Sequence, residues 1–109
     1  MRHFASLRRQ ADFIRLRRRG RRASSPILTI YRADALPGDP GSLVGISVNK
    51  SIGKAVVRNK VRRRLAAIAD EAIVGHPPMR LLLIPQPAAA QAGFDALRTA
   101  MTTLLERVL

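Results

Sequence analysis

From Lys50 to Arg64 the chain carries seven lysines and arginines and no acid, and no other stretch restricts its fold so tightly. The same region holds Val57, Val61, Leu65, Ile68 and Ala72 at i, i+4, i+8, i+11 and i+15, a narrow apolar stripe along one long helix. Gly75, Pro77 and Pro78 end it. A helix so patterned buries only that stripe, and its flanks face solvent or a partner. On those flanks Arg58 stacks over Arg62, Asn59 over Arg63 and Lys60 over Arg64. Like charges four residues apart repel. The helix gives up stability to hold a cationic surface, and a docked anion would offset that cost.

A second block lies at the start. Residues 1–22 hold nine arginines against one aspartate, a balance of +8, beside +7 for residues 50–64. Residues 23–49 and 65–109 each net −1, and the chain as a whole +13. A solvated face normally mixes signs, whereas single-sign clusters become favourable beside a polyanion, where each neutralised phosphate releases counterions. A general excess of arginine would also populate residues 65–109, which contain only Arg80, Arg98 and Arg107. Nucleic acid is therefore the expected partner.

Hydrophobic residues are 47% of the 109, the share of a globular fold rather than a basic tail, and the length suits one domain over 1–109. With aromatics at 4% and no Trp, the core must come from Val, Ile, Leu and Ala. The absence of cysteine leaves no disulfide framework and no thiolate metal site, in keeping with a reducing, cytoplasmic setting. The longest aliphatic runs, 65–69 and 81–84, fall far below the ~20 residues that span a bilayer. No apolar stretch follows the basic N-terminus to make a secretory signal, and its apolar stripe argues against an organellar presequence.

Phe4, Leu7, Ala11 and Ile14, with Arg18 next in the series, follow helical spacing, and Gly20 is a stop, so a helix is predicted over 6–19. Residues 27–31, after Pro26, read as a strand, and 36–42 as a Pro/Gly loop. Residues 43–49 alternate, with Val44, Ile46 and Val48 on one face and Leu43, Gly45, Ser47 and Asn49 on the other. Residues 81–84 read as a buried strand closed by Pro85 and Pro87. Phe94, Leu97, Met101, Leu104 and Val108 mark a final amphipathic helix. That order predicts an α/β (α+β) two-layer sandwich with helices covering one sheet face. The uncovered face would carry Thr29, Tyr31, Ser47 and Asn49.

The run from Val44 to Arg64 has a strand, Lys50, a loop with Gly53 and Lys54, Ala55, and then Arg58-Asn59-Lys60-Val61-Arg62-Arg63 on a helix. It resembles the Arg-Asn-Arg signature of the protein subunit of bacterial ribonuclease P. Weaker similarity covers nearly the whole chain, including Leu7-Arg8-Arg9, Asp12-Phe13, Gly20 and the strand at 27–31. The resemblance implies an αβββαβα-type fold with a left-handed βαβ crossover, like the second domain of a small-subunit ribosomal protein. It further implies an RNA-facing surface of Lys50, Lys54, Arg58, Asn59, Lys60, Arg62, Arg63 and Arg64. A cleft bordered by Phe13, Arg17, Tyr31, Ser47 and Asn49 would hold the 5′ leader of precursor tRNA. The implied partners are the catalytic RNA subunit and precursor tRNA, with no membrane and no DNA. The implied reaction is endonucleolytic removal of the leader by the RNA, with Mg²⁺ bound mainly by the RNA subunit. This chain departs from the family where Ala66 replaces a common arginine, Arg17 a second aromatic and Pro85 a basic residue.

The protein's own residues suggest no active site and no metal site. Its acids, Asp12, Asp34, Asp39, Asp70, Glu71, Asp95 and Glu106, are scattered, and Asp70 and Glu71 would point about 100° apart on a helix. Asp34 and Asp39 flank a Pro/Gly loop and suit turn formation. His3 reads as a frayed terminal residue, and His76 as solvent-facing beside Pro77. A ribosomal or general RNA-chaperone protein would explain the charge equally well but leaves the ordered signature to coincidence. A DNA-reading helix is disfavoured because few neutral base-reading side chains accompany Asn59.

Overall fold

In the computed structural model, which describes residues 2–109, the chain forms five strands and three α-helices. They are β1 (Phe4–Ser6), α1 (Gln10–Arg19), β2 (Arg21–Ser24), β3 (Leu28–Asp34), β4 (Ser42–Ile46), α2 (Ala55–Ala72), β5 (Met79–Pro85) and α3 (Phe94–Val108). The strands make one sheet in the order β1-β4-β5-β3-β2. β4 runs parallel to β5, so β4-α2-β5 is a βαβ crossover between neighbours, and β1 extends the parallel side. β3 pairs antiparallel with both β5 and β2.

β5 is central and carries Met79, Leu81, Leu82 and Leu83 without exposure, as a strand covered on both faces must. One face presents Leu28, Ile30, Val44, Leu81 and Leu83 to Val61, Leu65 and Ile68 of α2 and to Leu97, Met101 and Leu104 of α3. The opposite face presents Leu82 to Leu7 and Leu16, with Phe13, Tyr31, Leu43 and Ile84 around them. α2 and α3 thus form the layer predicted for one face. α1 crosses the other face against β3 and β5 and leaves only part of it open.

α1 is shorter than predicted and rotated. The chain stays extended through Leu7, whose N–H donates to the Val44 carbonyl at 2.9 Å, and the helix starts only at Gln10. The series Phe4, Leu7, Ala11, Ile14 therefore counted strand residues as helical ones. Once the phase resets, Leu16 is buried, Phe13 is half-buried and Ile14 is 44% exposed. β2 supplies the additional strand of the αβββ pattern. Its sequence Arg-Arg-Ala-Ser buries only Ala23, too little alternation to announce a strand. β4 ends at Ile46 rather than residue 49, because Asn49 is taken up in capping the turn that follows.

Candidate nucleic-acid interface

The junction between β4 and α2 is built from short-range backbone needs. Asn49 Oδ1 accepts from the Ser51 N–H at 2.9 Å, starting a single 3₁₀ turn over Lys50–Ile52 that buries Ile52. Gly53 then adopts φ 146°, a conformation that side-chain-bearing residues rarely take, and the chain turns into α2. Lys54 is the N-cap residue without a side-chain cap, and the first turn of α2 contains no acid. A lysine at the positive end of a helix dipole is unfavourable by itself and complements an incoming phosphate.

From the 3₁₀ turn into α2, Lys50, Lys54, Asn59, Lys60, Arg62 and Arg63 are exposed. Arg62 Nη1 donates to Asn59 Oδ1 at 2.7 Å, which orients the guanidinium from within the helix. Arg58 is half-buried, and its Nε is buried with no partner. Arg64 turns away to the α3 side, where Nη1 donates to the Ala92 carbonyl at 3.2 Å. It therefore does not take the place of an arginine at Ala66. Ala66 lies instead beside Arg62, lining a cavity of about 290 Å³ with Arg2, Arg8, Phe4 and Phe13. Arg2, stacked 4.8 Å above the Phe4 ring, and Arg8 were missed from the sequence because β1 was read as helix. Phe4 and Leu7 are three residues apart, a spacing that suits a helix, so the sequence carried no local signal for β1.

The aromatic cleft is organised by a glycine. A Cβ on Gly45 would lie 2.6 Å from Phe13 Cε1, so only glycine lets the ring settle on the sheet. Across the sheet Gly45 is level with Leu82, Leu82 with Tyr31, and Tyr31 with Arg22. Phe13 and Tyr31 thus belong to one half-buried cluster, with Arg17 exposed one turn beyond Phe13. The Ser47 N–H continues the ladder to the Leu83 carbonyl at 2.9 Å, beyond the end of β4. Asn49 lies farther along, engaged with the 3₁₀ turn rather than gathered with the rings.

Five of the seven acids make ion pairs with arginines, a sixth contacts His3, and none of them pairs with the sixteen cations of the two basic blocks among the described residues. Asp34 pairs with Arg32, and Glu71 and Asp95 with Arg98. Asp70 accepts a short hydrogen bond from the backbone N–H of His3 and lies 3.3 Å from its Nδ1, anchoring a terminus that the sequence suggested was frayed. That hydrogen bond holds the Asp70 carboxyl below its usual pKa. Arg80 is buried. Its Nε and Nη2 both donate to Asp39 at 2.9 Å, and Nη1 donates to Asp12 at 2.9 Å. The Arg80 hydrogen bonds lower the Asp39 pKa to about 2, helped by the Leu36 N–H, and the Arg80 pKa rises in return. Asp39 thus does more than shape its turn: it joins loop, β5 and α1. With the carboxylates so engaged, no group of three or more His, Asp or Glu among the described residues could hold a metal ion. Among the described residues the donor set does not fit a protein-held Mg²⁺.

The sequence profile of the family described as Ribonuclease P matches residues 1–109. The ribonuclease P protein component of Acidothermus cellulolyticus is 36% identical over 103 residues, covering 94% of this chain and 86% of the relative. That of Streptomyces avermitilis is 38% identical over 111 residues, covering 94% and 90%. The fold is shared with the RNase P protein of Staphylococcus aureus, at TM-score 0.83 and 20% identity over 94% of this chain and 93% of that one. It is shared too with the RNase P protein of Thermotoga maritima, at TM-score 0.78 and 23% identity over 95% and 97%. Matched along its full length by the family profile and over 94% of it by relatives above 30% identity, the chain belongs to the bacterial ribonuclease P protein family.

Proposed function

We propose that this chain is the protein component of a ribonuclease P ribonucleoprotein, acting in the cytoplasm by binding rather than by chemistry. The observation that carries the reading is the unpaired cationic surface of α2 and its 3₁₀ turn, adjoining an aromatic cleft. Lys50, Lys54, Arg58, Asn59, Lys60, Arg62 and Arg63 face the catalytic RNA subunit. Arg64 contributes charge from the far flank while tied to Ala92. Each phosphate that these groups neutralise releases counterions, which favours assembly at low salt. Phe13 and Tyr31 give unpaired leader bases a stacking surface that tolerates sequence variation, each base worth about 1–3 kcal/mol. Arg17 meets leader phosphates where the family resemblance implies a second ring, and Ser47 and Asn49 border the far end.

Hydrolysis of the bond between leader and mature tRNA falls to the RNA with its Mg²⁺. The carboxylates of this chain take no part in that step. The protein screens repulsion between substrate and RNA and keeps the leader in place. The test is 5′ maturation of precursor tRNA at low Mg²⁺ with the catalytic RNA subunit, with and without this protein. Maturation should depend on the RNA and be restored by the protein. Cleavage by the protein with no RNA present would overturn the reading.

A further inference from the structure

We propose that Arg19, Arg21 and Arg32 form a second RNA contact, a pocket for a backbone phosphate on the edge of the sheet away from α2. The inference rests on the RNA-binding reading above but uses none of its residues. Arg21 and Arg32 stand directly opposite each other in the β2–β3 register. Like charges so placed destabilise a sheet. Arg19, the last residue of α1, joins them around an open depression of about 440 Å³ with Ala33, Asp34 and Leu109. Three guanidiniums therefore meet one carboxylate side chain. That carboxylate, Asp34, is 88% exposed and touches only Arg32, at 3.1 Å. Arg21 Nη1 donates to a main-chain oxygen of Leu109 at 3.0 Å. The Arg32 side chain is only 11% exposed, and its Nε is buried without a partner.

A structural explanation covers only part of this arrangement. Arginines in the last turn of α1 favour the negative end of its dipole, which accounts for Arg19. Arg21 and Arg32 come from strands and gain nothing from it. A phosphate resolves the crowding, because the planar guanidinium fork matches its oxygens in paired hydrogen bonds. β3 and β5 separate β2 from β4, so three interstrand spacings, roughly 15 Å, divide this pocket from the β4–α2 junction. No single phosphate reaches both, and their contributions to binding should add.

The test compares wild type with the Arg19→Gln, Arg21→Gln pair, which leaves buried Arg32 intact. Binding to the catalytic RNA subunit with precursor tRNA is measured over a series of KCl concentrations. The pair should flatten the plot of log affinity against log salt by one to two units and weaken binding about 10-fold at 0.15 M salt. Its melting temperature should be unchanged or raised, and the Arg19→Lys, Arg21→Lys pair should restore the slope. A slope and affinity equal to wild type would overturn the pocket and leave the α2 interface standing. So would a loss that lysine fails to restore and that comes with a lowered melting temperature. Wild-type protein that binds this RNA without a salt slope would instead overturn the RNA-binding reading itself.

Discussion

Arg80, 9% exposed at the centre of the sheet, gives three N–H groups to the carboxylates of Asp39 and Asp12. Arg62, exposed on α2, gives one N–H to the neutral Asn59 side chain and meets no carboxylate among the described residues. The two guanidiniums are chemically identical, and the difference lies in where the few acids were placed. A buried charge must be neutralised locally, because stripping water from it is costly. An exposed charge is hydrated and can wait for a partner. Acids set around a buried cation therefore mark where positive charge is structural, and the acid-free surface of α2 is where it is available for binding.

The sharpest way to break that comparison is Arg80→Met, which removes the buried cation and leaves Asp39 and Asp12 facing each other near β5. Losing one side of a buried ion pair should cost about 3 kcal/mol and lower the melting temperature by roughly 12–20 °C. RNA affinity of the molecules that remain folded should be unchanged. A variant as stable as wild type would mean that Arg80 is no more structural than Arg62.

The converse change, Arg58→Gln with Arg62→Gln, removes two unpaired cations from α2. The salt dependence of RNA binding should become shallower by one to two units and affinity should fall about 10-fold, or ~1.4 kcal/mol. Stability should hold or rise slightly, since a like-charge stack is relieved. An unchanged salt slope would show that these arginines do not touch phosphates.

How much of this could be read from the chain depended on the sequence distance of the interactions. α2 was legible because its stripe repeats over four turns and its cations are contiguous. α1 was half legible: its C-terminal stop at Gly20 is local, but its inward face was set by the docking of Leu7 on Val44. β2 was hidden, because with Arg21 and Arg22 as half its length it forms a strand through pairing with β3 rather than through its own pattern. Arg80 was read only as one of three arginines in residues 65–109. Its partners, 41 and 68 residues away in sequence, left no local trace. Of the cleft residues, Phe13 and Tyr31 were brought into one cluster by the sheet, while Asn49 was claimed by the turn beside it.

Phe13→Leu tests the cleft with a smaller effect. Leucine keeps much of the contact over Gly45 but offers no ring, so the melting temperature should change little. Affinity for precursor tRNA should fall about 5-fold, near the lower end of a stacking contact, and affinity for mature tRNA should not. Equal losses on both, with a lowered melting temperature, would reassign Phe13 to the core.

The smallest effect is confined to acid. Asp39 has a folded-state pKa of about 2 against an ordinary value of 3.8, chiefly through its hydrogen bonds from Arg80. A depressed carboxylate pKa adds stability that is complete above pH 3.8 and is lost as pH falls through about 2. Melting temperature should therefore drop between pH 4 and pH 2 in the wild type, and Asp39→Asn should flatten part of that drop while lowering stability at neutral pH. Some acid dependence should survive in the variant, because Asp70 is also held below its usual pKa by the His3 N–H. Replacing an α2 cation, Lys60→Gln for example, should leave this acid limb unmoved, since no carboxylate among the described residues pairs with it. If Lys60→Gln flattened the limb as Asp39→Asn does, the division between paired and unpaired charge would fail.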